Sequence, residues 1–384
     1  MNSVTTAVRS VPTSRSDPAA RSSMRAALPV AGMYVVSIAV ALLLCGLLVA
    51  STGGSATKVL SALLDGSVRS PGAWGLTITT ATPLLVVAVG TIVASKAGMS
   101  NIGQEGQLLI GAAATAFVGT RMEAPGPVLL AVSLGAGVLV GGLWALLAAI
   151  MRFTRGVPEV ISTLLLLFIA VQLTTFGLTK QWLLLSRSTN SRVNTGEPLK
   201  PSGRLPTFTI FGNDVSWGAA IATVVALGIA FVLARTTTGF RLRMLGLNQR
   251  TARRAGVSTA IVGGGALVLS GAAAGLAGGL WLTGGAGGDR FSANISSNIG
   301  WQGLLVALLA RERAVLAVPM AFVFAALRTG SGFLAATGVD RRIANVVQAM
   351  LVLALLVPPA IQAIQSRRVP RQSGAAGAAV EAAV

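Results

Sequence analysis

Apolar residues occupy this sequence in long blocks rather than at alternating positions. A block of about 20 apolar residues lets an α-helix cross the hydrocarbon core of a bilayer, since each residue adds about 1.5 Å. Continuous runs such as 164–170 and 346–357 lack the alternation of a membrane β-barrel strand. The pattern therefore predicts an all-α fold, a polytopic transmembrane helical bundle. We expect about ten spans, near residues 29–50, 76–94, 102–120, 127–150, 158–178, 215–234, 259–283, 298–310, 314–333 and 343–364.

One of these blocks and both ends of the chain differ from the rest. The eighth block is too short to cross a bilayer alone, so we expect a half-helix or part of a re-entrant segment there. Residues 1–28 and 367–384 are predicted to be disordered cytoplasmic tails around a transmembrane domain at 29–366. The first block is longer than the apolar region of a signal peptide, usually about 7 to 15 residues, which indicates an uncleaved span.

Composition excludes several classes of function. Hydrophobic residues make up 53% of the chain and charged residues 11%, against about a quarter charged in soluble domains. With one cysteine and no histidine, the chain holds neither an internal disulfide nor a cysteine metal cluster, and lacks the usual general base. None of the four lysines follows a glycine, so the phosphate-binding loop of an ATPase is absent. The sequence does not indicate an enzyme, and any ATP hydrolysis must occur on another chain.

The charge distribution predicts the orientation of the spans. The net charge of +19 would suggest nucleic acid in a soluble protein, but basic residues beside membrane spans normally mark the cytoplasmic side. With ten spans and a cytoplasmic N-terminus, 18 of the 30 Lys and Arg residues fall on the cytoplasmic side, leaving 12 outside. Five of those 12 lie in one long loop, 179–214, where charge weighs less. We therefore expect both termini to be cytoplasmic and the 179–214 loop to be extracytoplasmic.

Glycines recur at four-residue intervals in two of the predicted spans. Gly271, Gly275 and Gly279 share one face of the seventh span, and Gly137 and Gly141 share a face of the fourth. Small residues at this interval allow helix backbones to approach closely. The spacing predicts tight helix packing and carries no information on a ligand.

A polar insert at 95–107 separates the second and third spans. Asn101 and Gln104 are suited to capping the third span. Helix capping does not explain why Glu105, Gln107 and the flanking glycines, including Gly103, also occur in this insert. A carboxylate deep in a bilayer costs on the order of 3 kcal/mol and usually has a function. Helix capping and a solute path both remain open for this insert.

Two further segments carry polar residues of interest. In 156–163, Glu159 faces the positive end of a helix dipole, so capping explains it well, and Glu159 and Ser162 are weaker candidates for the solute path. The connector 236–257 is the most basic on the predicted cytoplasmic side, which alone would fit plain topology or anionic membrane lipid. Apolar residues among the basic ones favour short surface helices that dock a partner. The docking candidates are Arg241, Arg243, Gly246, Asn248, Ala252, Arg253 and Gly256.

These segments resemble the permease subunits of bacterial ABC importers for nucleosides and simple sugars, which belong with the ribose and branched-chain amino acid permeases. SKAGMSNIGQEGQLLIGA (95–112) is similar to a family stretch reading roughly R-A-G-L-F-N-I-G-x-E-G-Q, and GVPEVISTLLLLFIA (156–170) to its G-V-N-E-V-I-S-T segment. GLNQRTARRAGV (246–257) resembles the family's cytoplasmic loop, which contacts the ATPase, and LSGAAAGLAGGL (269–280) its glycine-rich span. Thr251, Arg254 and Ala310 depart from the family pattern, which has Ala, Tyr and Gly there.

The resemblance implies a permease subunit of an ATP-driven importer, multi-pass in the bacterial plasma membrane. The expected permeant is a small polar solute, most simply a nucleoside, with a simple sugar or a branched-chain amino acid as the alternative. The implied partners are ABC ATPase subunits, a second permease subunit (a paralogue), an extracytoplasmic solute-binding lipoprotein and membrane lipid, and no nucleic acid. ATP and Mg²⁺ would be bound by the ATPase, with no cofactor in this chain. An ion-coupled secondary transporter is a different class, for which only Glu105 and Glu159 are candidate carriers.

Overall fold

The computed structural model describes residues 18–51, 56–187, 194–210 and 212–334, together with residues 346, 349–350, 353–354, 356–358 and 360–361. Two compact units are present. The first comprises Met1–Cys45 and Met350–Val384, in which Ser37 Oγ donates a hydrogen bond to the carbonyl oxygen of Ala354, at 2.6 Å. The second comprises Gly46–Ala349 and contains every candidate functional residue named above.

Helices dominate the described residues, as the sequence predicts. They are α1 (Pro18–Ser51), α2 (Ala56–Leu64), α3 (Ala73–Lys96), α4 (Gln104–Arg121), α5 (Gly126–Arg155), α6 (Glu159–Gly177), α7 (Gly218–Arg235), α8 (Thr237–Leu247), α9 (Gln249–Arg254), α10 (Thr259–Thr283), α11 (Ile299–Leu309) and α12 (Ala314–Leu334). A π-helical turn (Asp65–Arg69) follows α2. Most of the tenth predicted span and of both predicted tails lies outside the described residues.

Six of the described helices are long and apolar enough to cross a membrane: α3, α5, α6, α7, α10 and α12. The third block forms α4, of 18 residues, and the eighth forms α11, of only 11 residues. At about 1.5 Å per residue, α11 is about 16 Å long, roughly half the thickness of the hydrocarbon core. The short eighth segment is thus confirmed, and so is the all-α class of a membrane-spanning bundle.

A small β-hairpin interrupts the otherwise helical chain in the loop between α6 and α7. Strand β1 (Thr207–Ile210) pairs antiparallel with β2 (Asn213–Ser216), and a short 3₁₀ turn (Pro201–Gly203) precedes it. The apolar pattern did not predict this hairpin, because two strands of four residues leave no recognisable block. Backbone hydrogen bonds join the same loop to the segment after α10, from Leu199 to Asp289 at 2.8 Å and from Gly196 to Phe291 at 2.7 Å.

Helix α10 packs against α3, α4 and α5 at the centre of the second unit. A Cβ atom placed on Gly271 would lie 2.6 Å from the carbonyl oxygen of Gly141 on α5, a distance that real side chains do not adopt. The reciprocal contact, from Gly141 to the carbonyl oxygen of Gly271, is equally short. The predicted close packing through glycines is therefore confirmed, with backbone against backbone where α5 crosses α10.

Candidate functional site

The polar insert forms a non-helical return into the bundle between α3 and α4. α3 ends at Lys96, Gly98 has a positive φ of 71°, and α4 begins only at Gln104. Thr91 Oγ1 donates a hydrogen bond to Gln104 Oε1 at 2.7 Å. Since Thr91 lies one and a half turns before Lys96, the first turn of α4 is about 7 Å inside the end of α3. Irregular backbone at such a depth is stable only where protein or a polar cavity surrounds it.

Five polar side chains form a buried hydrogen-bonded network around the start of α4. Asn101 Nδ2 donates to Gln107 Oε1 at 2.8 Å and to Ser270 Oγ at 2.9 Å. Gln107 Nε2 donates back to Asn101 Oδ1 at 3.1 Å, and Gln104 Nε2 donates to Ser270 Oγ at 2.9 Å. With Thr91 the network links α3, α4 and α10, and each of the five side chains is at most 4% exposed.

The capping interpretation of Asn101 is wrong in its detail. The N-cap of α4 is Gly103, and no side chain caps that helix end. Asn101 Oδ1 instead accepts a hydrogen bond from the backbone N–H of Gly103, at 3.1 Å, within the loop. A Cβ atom on Gly103 would lie 2.5 Å from the carbonyl oxygen of Thr163, so glycine is required where the insert passes α6.

Glu105 joins α4 to the segment before α11. Its Oε2 accepts a hydrogen bond from the backbone N–H of Gly300 at 2.6 Å, and its Oε1 accepts one from the hydroxyl of Ser296. A Cβ atom on Gly300 would lie 2.5 Å from the Cα of Glu105, so the two backbones are in contact. Glu105 is 6% exposed and therefore holds the first residues of α11 against the first turn of α4.

Glu159 and Ser162 lie apart from this network. Glu159 Oε2 is 3.1 Å from Nε of Arg152 on α5, an ion pair that crosses the turn between α5 and α6. Ser162 is 2% exposed, and its Oγ donates to the carbonyl oxygen of Glu159 at 3.1 Å. Their neighbour Thr163 contacts the insert, because its Oγ1 accepts a hydrogen bond from the N–H of Ile102 at 3.3 Å.

The basic connector folds into α8 and α9 and exposes its arginines. Arg241, Arg243 and Arg253 are exposed, while Ala252, Leu242 and Leu245 are buried against the rest of the chain. The predicted short helices are present, and these three apolar side chains attach them to this chain's own bundle.

The remaining docking candidates have local structural reasons. Asn248 caps α9, since its Oδ1 accepts hydrogen bonds from the backbone of Arg250 at 3.0 Å and of Thr251 at 3.1 Å. Gly256 follows α9 with a positive φ of 80°. Gly246 packs on the polar insert, where an added Cβ atom would lie 3.1 Å from the backbone nitrogen of Gly98. The connector is therefore in direct contact with the chain that leads to Asn101.

Sequence reasoning missed several residues of this region. Ser270 lies in the segment 269–280, which was interpreted only through its glycines. Thr91 was overlooked because it lies within an apolar block. Arg328 is the only charged residue in the apolar span 314–333 of α12, and this isolated charge could have been recognised from the sequence. Lys96 Nζ and Glu312 Oε2 form an ion pair at 3.1 Å, which sets the end of α3 beside the turn between α11 and α12.

The fold and the site together define a class of protein. Helices that begin inside an apolar bundle and meet at a buried polar network are typical of membrane transport proteins. The chain belongs to the family of permease components of branched-chain amino acid transport systems, whose family model matches residues 75–356. It is a multi-pass membrane protein of the ABC transporter permease class, which confirms the family resemblance.

Relatives with assigned transport roles cover most of the chain. The guanosine ABC transporter permease protein NupP of Bacillus subtilis (strain 168) is 28% identical over 339 residues, covering 87% of this chain and 95% of that protein. The glucose ABC transporter permease protein TsgB13 of Haloferax volcanii is 32% identical over 292 residues, or 74% of this chain and 76% of that protein. The nucleoside ABC transporter permease protein NupB of Lactococcus lactis subsp. cremoris is 28% identical over 333 residues, covering 80% and 87% respectively.

Proposed function

We propose that this chain forms the translocation path of an ATP-driven importer for nucleosides. The observation that carries the proposal is the buried polar network at the start of α4, joined through Glu105 to the short helix α11 inside an apolar bundle. Two relatives named for guanosine and nucleoside transport support the substrate class. The glucose permease TsgB13 favours a simple sugar as the second candidate, and the family name a branched-chain amino acid as the third.

The residues predicted to line the solute path act, in this proposal, mainly through the structure that they stabilise. Asn101, Gly103 and Gln107 shape the return of the chain into the bundle, and Glu105 fixes the segment before α11. Glu159 and Ser162 support the same return through their neighbour Thr163. Both acids have protein partners, which argues against their use as ion carriers in a secondary transporter.

The proposed assembly contains this chain, a second permease subunit, ABC ATPase subunits and an extracytoplasmic solute-binding lipoprotein. ATP and Mg²⁺ would be bound by the ATPase subunits. Exposed arginines of α8 and α9 offer a basic docking surface, while Gly246 connects that surface to the polar insert. Docking of an ATPase at α8 and α9 is therefore mechanically linked to the network around Asn101.

Uptake by the complete importer tests the proposal. The chain and its partner subunits, reconstituted in proteoliposomes with internal ATP, are expected to accumulate radiolabelled guanosine in excess of labelled glucose and leucine. A proton or sodium gradient in place of ATP should give no accumulation. Gradient-driven uptake without ATP would contradict the ABC mechanism, and ATP-driven uptake of glucose or leucine alone would replace the nucleoside assignment.

We also propose a plasma-membrane location with α8, α9 and both termini cytoplasmic. The ion pair between Lys96 and Glu312 and the contact between Gly98 and Gly246 gather three connectors at one end of the bundle, the end that carries the arginines of α8 and α9. In a Cys45→Ala background, an impermeant thiol reagent on intact cells is expected to label Ser202→Cys, which is exposed in the loop after α6. Thr251→Cys, which is exposed on α9, should react only after the cells are opened. The reverse order of labelling would invert the orientation.

A further inference from the structure

Arg328 is an unexpected charge within the membrane-spanning helix α12. It lies 14 residues after Ala314, the first residue of α12, and therefore about 21 Å along that helix. A charged side chain at such a depth is costly in contact with lipid and normally faces protein or a water-filled path. Its guanidinium carbon lies 5.5 Å from the centre of the Trp281 ring on α10, so the side chain points into the bundle.

The guanidinium group contacts the segment that Glu105 holds from the other side. Arg328 Nη1 donates hydrogen bonds to the carbonyl oxygen of Ser297, at 2.9 Å, and to Gln302 Oε1, at 3.2 Å. The guanidinium group of Arg328 and the carboxylate of Glu105, which have opposite charges, therefore both bond to the segment that includes Ser297 and Gly300. Arginine has five N–H donors in a planar fork. Within the described part of the chain, the hydrogen bonds of Arg328 use Nη1 alone, which leaves Nε and Nη2 available.

Polar groups beside Arg328 are open to solvent rather than buried like the network around Asn101. Ser297 and Asn298 are exposed, and Gln302 is half-buried on the first turn of α11. Asn298 has a left-handed φ of 68° at the N-cap position, yet its side chain makes no capping hydrogen bond. Gln302 lies seven residues before the end of α11, about 10 Å from that helix end. An open cluster of amide, hydroxyl and guanidinium groups at this depth requires water or a polar solute beside it.

We propose that Arg328, Gln302, Asn298 and Ser297 form a binding site for the permeant. The site deepens the proposed function, on which it rests, by naming the residues that contact the solute. The free Nε and Nη2 edge of the guanidinium fits paired acceptors such as O6 and N7 of a purine, and the amides fit sugar hydroxyl groups. The carboxylate of Glu105 balances the charge of Arg328 across the segment, which favours a neutral solute over an anion.

Cysteine accessibility in the complete importer tests this site. Ser297→Cys, Gln302→Cys and Arg328→Cys would each be introduced in a Cys45→Ala background, and the importer would be reconstituted in nanodiscs that expose both membrane faces. A small charged methanethiosulfonate reagent is expected to modify all three cysteines. The matched control is Ala325→Cys, less than one turn before Arg328 on the same helix and fully buried, which should remain unmodified.

Protection of these cysteines by solute then distinguishes a binding site from a surface that is only accessible to water. Guanosine at ten times its transport KM should slow modification by about tenfold, as expected from occupancy. Ser297→Cys changes one atom and keeps the fold even if Arg328→Cys does not. Unreactive cysteines at Ser297 and Gln302, or reactive ones that guanosine, glucose and leucine all fail to protect, would overturn the site. Protection by glucose or leucine alone would confirm the site and instead refute the nucleoside assignment.

Discussion

Glu105→Ala is expected to reduce uptake to background. The substitution removes the acceptor of two buried hydrogen bonds, from the hydroxyl of Ser296 and the backbone N–H of Gly300. Each buried donor left without a partner costs about 1–3 kcal/mol, and both belong to the segment that also carries Ser297 and Gln302. That segment would lose its attachment to α4. The measurement is ATP-driven uptake of labelled guanosine in proteoliposomes, normalised to the amount of correctly inserted importer.

Glu105→Gln is the matched control for this change. The glutamine Oε1 can accept from the N–H of Gly300, while its Nε2 donates to Ser296 Oγ once that hydroxyl has rotated. The glutamine loses only the negative charge and keeps both hydrogen bonds, so uptake should stay within about tenfold of the wild-type rate, which corresponds to about 1.4 kcal/mol. If the glutamine variant folds and is as inactive as the alanine variant, the charge of Glu105 itself takes part in transport.

Arg243→Glu is expected to abolish ATP-driven uptake while the protein still reaches the membrane. Arg243 is exposed on α8, so the fold of this chain does not depend on it. If an ATPase subunit docks there, reversed charge costs several kcal/mol of binding, and each 1.4 kcal/mol is about tenfold in affinity. Co-purification of the ATPase with a tagged permease measures docking, and uptake measures the consequence.

The control for Arg243→Glu is Arg155→Glu, an equal charge change at the exposed last residue of α5. It lies on the same predicted side of the membrane but outside α8 and α9, so docking should be retained. Equal losses in both variants would show that the arginines serve only as a topology signal. Normal docking and uptake with Arg243→Glu would likewise refute the role of this helix pair.

The apolar blocks were sufficient to predict the helical architecture because membrane helices need long runs without charge. The same logic identified α11 as too short, since an 11-residue helix cannot cross a bilayer alone. The hairpin at 207–216 was missed because its side chains are mostly polar and its strands are short. Pattern alone has no information on loops whose structure depends on contacts with another part of the chain.

In the candidate site, too, the sequence identified residues that stand out locally but not their distant partners. The polar insert stood out from its apolar surroundings, so Asn101, Glu105 and Gln107 were identified as candidates. Their partners were not predictable, because Ser270 and Gly300 are more than 160 residues away in sequence. Arg328 was visible as a lone charge within a span, but its relation to Glu105 depends on the return of the chain before α11.

The glycine contact between α5 and α10 restricts how the protein can move. Where backbone touches backbone, sliding one helix by a single residue would bring an alanine methyl group of α10, such as that of Ala274, toward a carbonyl oxygen of α5. Only a shift by the four-residue spacing of the glycines, about 6 Å, would again place glycine opposite glycine. We therefore expect α5 and α10 to move as one rigid body and to carry α4, which packs on both of them. The rearrangements of a transport cycle must then occur at looser contacts, such as those of α7, of whose 18 residues four are buried.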